Sequence, residues 1–99
     1  MITVITKLTF PPEMEDQIES ITSRSVEIFN KLPGFISIEI SKSFDKNGTC
    51  SYLKWDSIED HENCMKNDAW SELNPEWDAI MGRDEVDFQF IFIGEPKWT

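Results

Sequence analysis

Ninety-nine residues with 19 acids against 9 bases carry a formal net charge of -10. The length is that of one domain, 1–99, and 39% hydrophobic with 12% aromatic residues supply the apolar bulk of a folded core, which excludes disorder. The acidic balance repels nucleic-acid backbones and anionic membrane surfaces, so neither is an expected partner.

Ile2 to Phe10 reads as a strand: Ile2, Val4, Leu8 and Phe10 fall on one face, Thr3, Lys7 and Thr9 on the other, and only Ile5 and Thr6 blur the alternation. Pro11-Pro12 ends it. Glu13 to Leu32 is the longest helix, with Met14, Ile18, Ile21, Ser25, Ile28 and Leu32 recurring every three or four residues. Pro33-Gly34 stops it, because glycine suits the left-handed turn past a helix end.

Phe35 to Phe44 is a second strand, with Ile36, Ile38, Ile40 and Phe44 sharing a face. Asp45-Lys46-Asn47-Gly48 predicts a tight hairpin in which Asn-Gly supplies positive φ. Thr49 to Trp55 is then an antiparallel third strand. It runs straight into a helix from Ser57 to about Lys66, with Asp56 as cap, Glu59 at capping-box spacing, and Ile58, Met65 and Cys64 inward.

Between Asp68 and Met81, Trp70, Leu73, Trp77 and Ile80 keep helical spacing, but Pro75 interrupts it, so two short helical pieces with a bend are expected, Asn74 capping the second. Val86, Phe88, Phe90 and Phe92 alternate with Asp87, Gln89, Ile91 and Ile93 in a last strand.

Cys50 and Cys64 are too few for a disulfide scaffold and fit no zinc spacing, so reduced thiols are expected. The N-terminal residues lack a basic segment before a long apolar run, and no stretch nears the roughly 20 apolar residues of a membrane helix. A cytoplasmic location is the expectation.

The element order, βαββαβ, predicts an α+β fold: a ferredoxin-like split βαβ sandwich with one four-stranded antiparallel sheet and its helices on one face. The opposite face mixes Thr3, Ser37, Glu39, Asp87 and Gln89 with Ile5, Ile91 and Ile93. An apolar patch of that kind is better covered than exposed. Two sheets meeting face to face in a homodimer would cover it and close an eight-stranded barrel.

With Leu32-Pro33-Gly34-Phe35 after the first helix and Trp55-Asp56-Ser57-Ile58-Glu59-Asp60-His61 at the strand-to-helix corner, the chain resembles the antibiotic biosynthesis monooxygenase domain of the dimeric α/β-barrel superfamily. Pro33-Gly34-Phe35, Trp55, Ser57 and His61 fall on the positions of that family's short motifs. The resemblance implies a homodimer with a pocket between helices and sheet in each subunit. It also implies oxygenation of polycyclic quinols without metal or flavin, in which the substrate's own carbanion reduces oxygen. Haem degradation, known among relatives, is unsupported: the first strand has no Asn and the region after Trp70 has no His.

His61 is the candidate catalytic base, since an imidazole titrates near neutrality, and on this resemblance it would take a phenolic proton. Trp55 could wall an aromatic pocket and aim its indole N–H at a substrate oxygen. Trp70 and Trp77 are candidate pocket walls as well as packing residues, and Tyr52 could donate a hydrogen bond from mid-strand. His61 and Cys64 lie three apart on one helix, but two ligands are not a metal site. Neither a cofactor nor a metal is expected. Whether the chain is an enzyme stays open: a non-catalytic small-molecule-binding dimer and an isomerase or other acid–base enzyme would use the same scaffold.

Overall fold

The computed structural model describes residues 1–44 and 47–98. The first strand, β1, runs Ile2–Thr9 and alternates strictly between buried and half-buried residues. Thr6 therefore continues the inward row of Ile2, Val4 and Leu8, and Ile5 goes to the other face. Pro12 seats a 3-10 turn, Pro12–Met14, and α1 follows over Glu15–Phe29 with Ile18, Ile21 and Ser25 buried. This helix starts later and ends earlier than the spacing predicts. Its last residues tighten into turns before Pro33: Lys31 N–H donates to the Ile28 carbonyl at 2.9 Å and Leu32 N–H to the Phe29 carbonyl at 3.0 Å.

Gly34 follows with φ +77°, and a Cβ there would run into the Asp60 side chain. Both facts call for glycine. The second strand, β2, spans Phe35–Lys42 and β3 spans Gly48–Trp55. At the hairpin between them, Asp45 and Lys46 lie outside the described residues. Gly48 does not take a positive φ, since Gly34 is the positive-φ glycine among the described residues. Asn47 instead pairs with Phe10: the Phe10 N–H donates to the Asn47 carbonyl and Asn47 Nδ2 to the Phe10 carbonyl, each at 3.0 Å. Gly48 opens β3 opposite Thr9 because a Cβ would meet the Leu8 carbonyl of the adjacent strand.

Next come α2 (Ile58–Cys64), a 3-10 turn over Asp68–Trp70, α3 (Asn74–Met81) and β4 (Asp87–Gly94). The two helical pieces match the expectation, but Asn74 does not cap the second: it is the first residue of α3, and Leu73 stands at the N-cap without a side-chain cap bond. The cap of α2 is displaced by one residue: Ser57 Oγ accepts from the Asp60 N–H at 3.2 Å and donates to the Asp60 carboxylate at 3.0 Å, in place of Asp56 and Glu59. Cys64 is the buried residue of α2, whereas Ile58 and Met65 are exposed. The frame set by the Ser57 cap turns Ile58 outward, while Met65, though exposed, borders the cavity between sheet and helices.

All strand pairs are antiparallel, in the order β2-β3-β1-β4. This is the ferredoxin-like α+β sandwich read from the sequence, with an open sheet. The core joins Ile2, Val4, Leu8, Leu53 and Trp55 of the sheet to Met14, Ile18 and Ile21, and to Trp70, Leu73 and Ile80 from the second helical region. Among the described residues no helix is long and apolar enough to cross a membrane.

Two bulges revise the predicted faces. In β2, Phe35 pairs with Trp55 but Ser37 with Lys54, so Ile36 is an extra residue, 45% exposed rather than inward. Phe44 lies past the end of β2 and is fully exposed. In β4, Thr6 faces Phe90 while Ile5 faces Phe92, and Ile91 is the extra residue. Directly paired residues share a face, so Phe88 and Phe90 stay inward. Phe92 joins Ile5 on the outer face and Ile93 comes opposite Val4.

Candidate active site

A cavity of about 390 Å³ lies between the sheet and the helices. Its floor is the inward row of β1 and β3. Thr6 pairs with Ser51, Leu8 with Thr49 and Val4 with Leu53, and Trp55 closes one end. Val26 and Phe29 of α1, Trp70, and Trp77 of α3 form the roof, while Phe88 and Phe90 stand at the β4 side. The lining is chiefly apolar with a few polar atoms, the usual character of a small-molecule site.

The strand-to-helix corner sets the polar end. Trp55 is the last residue of β3 and is 0% exposed. The chain turns there because the Asp56 N–H donates to the Gly34 carbonyl at 2.8 Å, after which Ser57 caps α2. The helix then carries His61 in its last turn, and the His61 N–H donates to the Ser57 carbonyl at 3.3 Å. The imidazole lies 6.1 Å from the Trp55 ring and 6.1 Å from the Phe90 ring, centroid to centroid.

Among the described residues, Trp55 Nε1 and His61 Nδ1 are buried side-chain nitrogens without a hydrogen-bond partner. Native proteins satisfy nearly all such groups, so two adjacent exceptions on one cavity call for an explanation. The indole nitrogen can only donate, and a neutral imidazole can accept at Nδ1 in the tautomer protonated at Nε2. Burial pushes the His61 pKa below its ordinary value, against the opposing charge of Glu62. The imidazole is therefore neutral at neutral pH and able to take a proton.

The other aromatic candidates divide. Trp70 and Trp77 both line the cavity, but their N–H groups are used: Trp70 Nε1 donates to the Cys64 carbonyl at 2.9 Å, and Trp77 Nε1 to Ser25 Oγ at 2.9 Å. Ser25 Oγ in turn donates to the Ile21 carbonyl at 2.7 Å. These two indoles are walls with fixed planes. Phe29 props Trp70 and Trp55 edge-on, with centroids at 5.0 and 6.0 Å. Tyr52 does not join them. Leu53 and Trp55 point inward, so the two-residue period of the strand sends Tyr52 to the outer face opposite Ile5, where it is 44% exposed.

Cys64 also lines the cavity, and burial raises its pKa, which keeps it a thiol. Among the described residues no three of His, Cys, Asp or Glu gather as a metal ion would require. Sequence reasoning did not single out Thr6, Thr49, Ser51, Phe29, Phe88 or Phe90. The floor hydroxyls were traceable, since Thr49 and Ser51 lie in phase with Trp55 along one strand. Phe29 needed the packing of α1.

Residues 1–75 match the family model described as antibiotic biosynthesis monooxygenase. No curated protein matches the chain in sequence. Among solved structures, the chain is similar to SnoaB, a cofactor-independent oxygenase from Streptomyces nogalater, at a TM-score of 0.76 and 17% identity over 99% of this chain and 94% of that one. It is similar to the monooxygenase from the gene ActVA-Orf6 of Streptomyces coelicolor, solved with the ligand Nanaomycin D, at 0.71 and 17% over 99% and 88%. Rv0793 from Mycobacterium tuberculosis matches at 0.76 and 11% over 99% and 96%. At these identities the likeness is one of fold.

Proposed function

The chain belongs to the antibiotic biosynthesis monooxygenase family, and on that premise we propose that it is a cofactor-independent monooxygenase acting on a small aromatic phenol or quinol held in the cavity. The observation that carries this reading is the pair of unsatisfied buried nitrogens, Trp55 Nε1 and His61 Nδ1. A phenolic hydroxyl between them would accept from the indole and donate to the imidazole. Trp70, Trp77 and Phe90 would hold the ring.

His61 is then the general base. It takes the phenolic proton, and the resulting anion delocalises to an electron-rich ring carbon. That carbon passes one electron to O2, and the radical pair combines to form a C–O bond and a peroxide anion. His61 returns a proton to the peroxide. Loss of water leaves a carbonyl, so the C–OH and ring C–H of the phenol or enol form, which are the C=O and CH2 of an anthrone, react with O2 to give two C=O groups and H2O. Carbon loses four electrons and O2 gains them.

The outer face of the sheet supports the homodimer expected from sequence. Tyr52, Phe92 at 48% and Ile36 are exposed there beside half-buried Ile5. A second copy packed on this face would cover them. Light scattering that gives the mass of one chain would remove that part of the proposal.

The test is oxygen uptake with 1,8-dihydroxyanthrone, against a heat-denatured control and under nitrogen. The expected result is protein-dependent consumption of one O2 per anthrone and a product with one new carbonyl. Conversion that proceeds equally under nitrogen makes the protein an isomerase or another acid–base enzyme. Saturable binding without conversion makes it a binding protein.

A further inference from the structure

We infer that the cavity selects its ligand by charge, accepting uncharged aromatic phenols and rejecting the same skeleton bearing a carboxylate, with Thr6 and Ser51 on the floor and Asp78 at the mouth setting the preference. This rests on reading the cavity as the ligand site.

No Lys or Arg stands among the described residues that line it. A desolvated carboxylate is best met by a charged partner, and the one side-chain amide on the lining, that of Asn74, is neutral and belongs to an exposed residue. The polar groups of the floor are instead hydroxyls: Thr6 faces Ser51 directly, and Thr49 follows opposite Leu8. Ser51 lies four residues from Trp55, roughly 13 Å along an extended strand. A ligand with its phenol at the Trp55–His61 end would therefore present its far end to hydroxyls. These serve a carbonyl, ester or second hydroxyl well, because each can both donate and accept. They do not neutralise an anion.

The one Asp, Glu, Lys or Arg among the described residues that line the cavity is of the wrong sign for an anion. Asp78 is exposed on α3 and borders the cavity. His61, held neutral by its burial, adds no positive charge at the other end. The chain as a whole carries -10, which lowers the local concentration of anionic ligands further.

The experiment compares methyl 6-hydroxy-2-naphthoate with 6-hydroxy-2-naphthoate by titration calorimetry at pH 7. The two share a skeleton and a phenol and differ in charge. The ester is expected to bind at least tenfold tighter than the acid. Ser51→Lys should raise affinity for the acid at least tenfold and weaken that for the ester. Asp78→Asn, an exposed change that spares the fold, should narrow the discrimination severalfold. Acid and ester binding within threefold of each other, or an ester that does not bind, overturns the inference. Oxygen uptake is a separate reading. Selective binding of the ester with no oxygen consumed from 1,8-dihydroxyanthrone sinks the oxygenase proposal and leaves charge selection standing. Equal binding with oxygen consumed does the reverse.

Discussion

The imidazole of His61 and the indole of Trp55 lie 6.1 Å apart at a tilt of 57°, and each holds a buried nitrogen that no group among the described residues satisfies. Under the proposed mechanism one ligand oxygen would meet both nitrogens, and the cost of preparing the site would be met in folding.

Removing the base is the most direct check. His61→Ala should lower kcat/KM for 1,8-dihydroxyanthrone by about 10²- to 10⁴-fold, the usual contribution of a positioned general base. Steady-state oxygen uptake measures it. An unchanged rate removes His61 from the mechanism.

Because burial lowers the His61 pKa, the acid limb of the kcat/KM profile should fall below pH 6.5, where an unperturbed imidazole titrates. The base works deprotonated, so activity is lost as pH drops through the folded-state value. Stability follows the same direction. Below pH 6.5 the unfolded chain binds a proton at His61 that the folded chain resists. The stability contribution is therefore complete above pH 6.5 and is lost as pH falls through the depressed value. Melting curves of the native chain and His61→Asn from pH 7.5 to 5 should show the native chain losing more.

Trp55→Phe keeps a ring and deletes the donor. One hydrogen bond to the substrate is worth about 1–2 kcal/mol, so kcat/KM should drop roughly 5- to 30-fold. Since Trp55 Nε1 has no partner among the described residues, no hydrogen bond to them is lost. The thermal stability of this variant should fall only by the lost ring volume. A drop in melting temperature with unchanged kinetics would make Trp55 a packing residue alone.

Gly34→Ala should destabilise by about 1–3 kcal/mol in urea unfolding, from a strained backbone and a displaced neighbour. The neighbour is Asp60, whose carboxylate is tied to the Ser57 cap of the helix that carries His61. Gly34→Ala should therefore also reduce activity. Asp60→Ala in the same chain should relieve the collision but not the strain at φ +77°.

Ser25 fixes the plane of Trp77, since its Oγ is the acceptor for the indole and is itself tied to Ile21. Ser25→Ala should cost about 1–2 kcal/mol by stranding that N–H. In a double-mutant cycle with Trp77→Phe the two losses should not add, because both remove one hydrogen bond. Full additivity would mean the contact is not maintained in solution.

Local rules account for what was legible in the chain. Period-two and period-three-to-four patterns located four strands and the helical segments, and Pro-Gly after Leu32 located the left-handed residue at Gly34. The corner of Trp55, Ser57 and His61 was legible because a strand end and a helix start place residues over a few positions only. These signals depend on near neighbours, and the family motif sits within them.

What pairing across the sheet decides was not legible. One extra residue at Ile36 and another at Ile91 reverse the facing of what lies beyond them, and nothing in either strand's own pattern marks the slip. Pairing across the sheet put Tyr52 outside and Thr6 and Ser51 inside, and only the fold showed that Thr6 and Ser51 border an open space. That Trp55 Nε1 and His61 Nδ1 both lack partners is likewise a property of the tertiary structure. Satisfaction of a hydrogen bond depends on groups distant in sequence: Trp77 finds Ser25 across 52 residues, and Trp55, fully buried, finds none among the described residues. Sequence determined the scaffold and named the histidine. Packing decided that the histidine and the tryptophan meet at an unfilled space, because close contact between distant segments is set by the sum of the folded chain and not by any stretch of it.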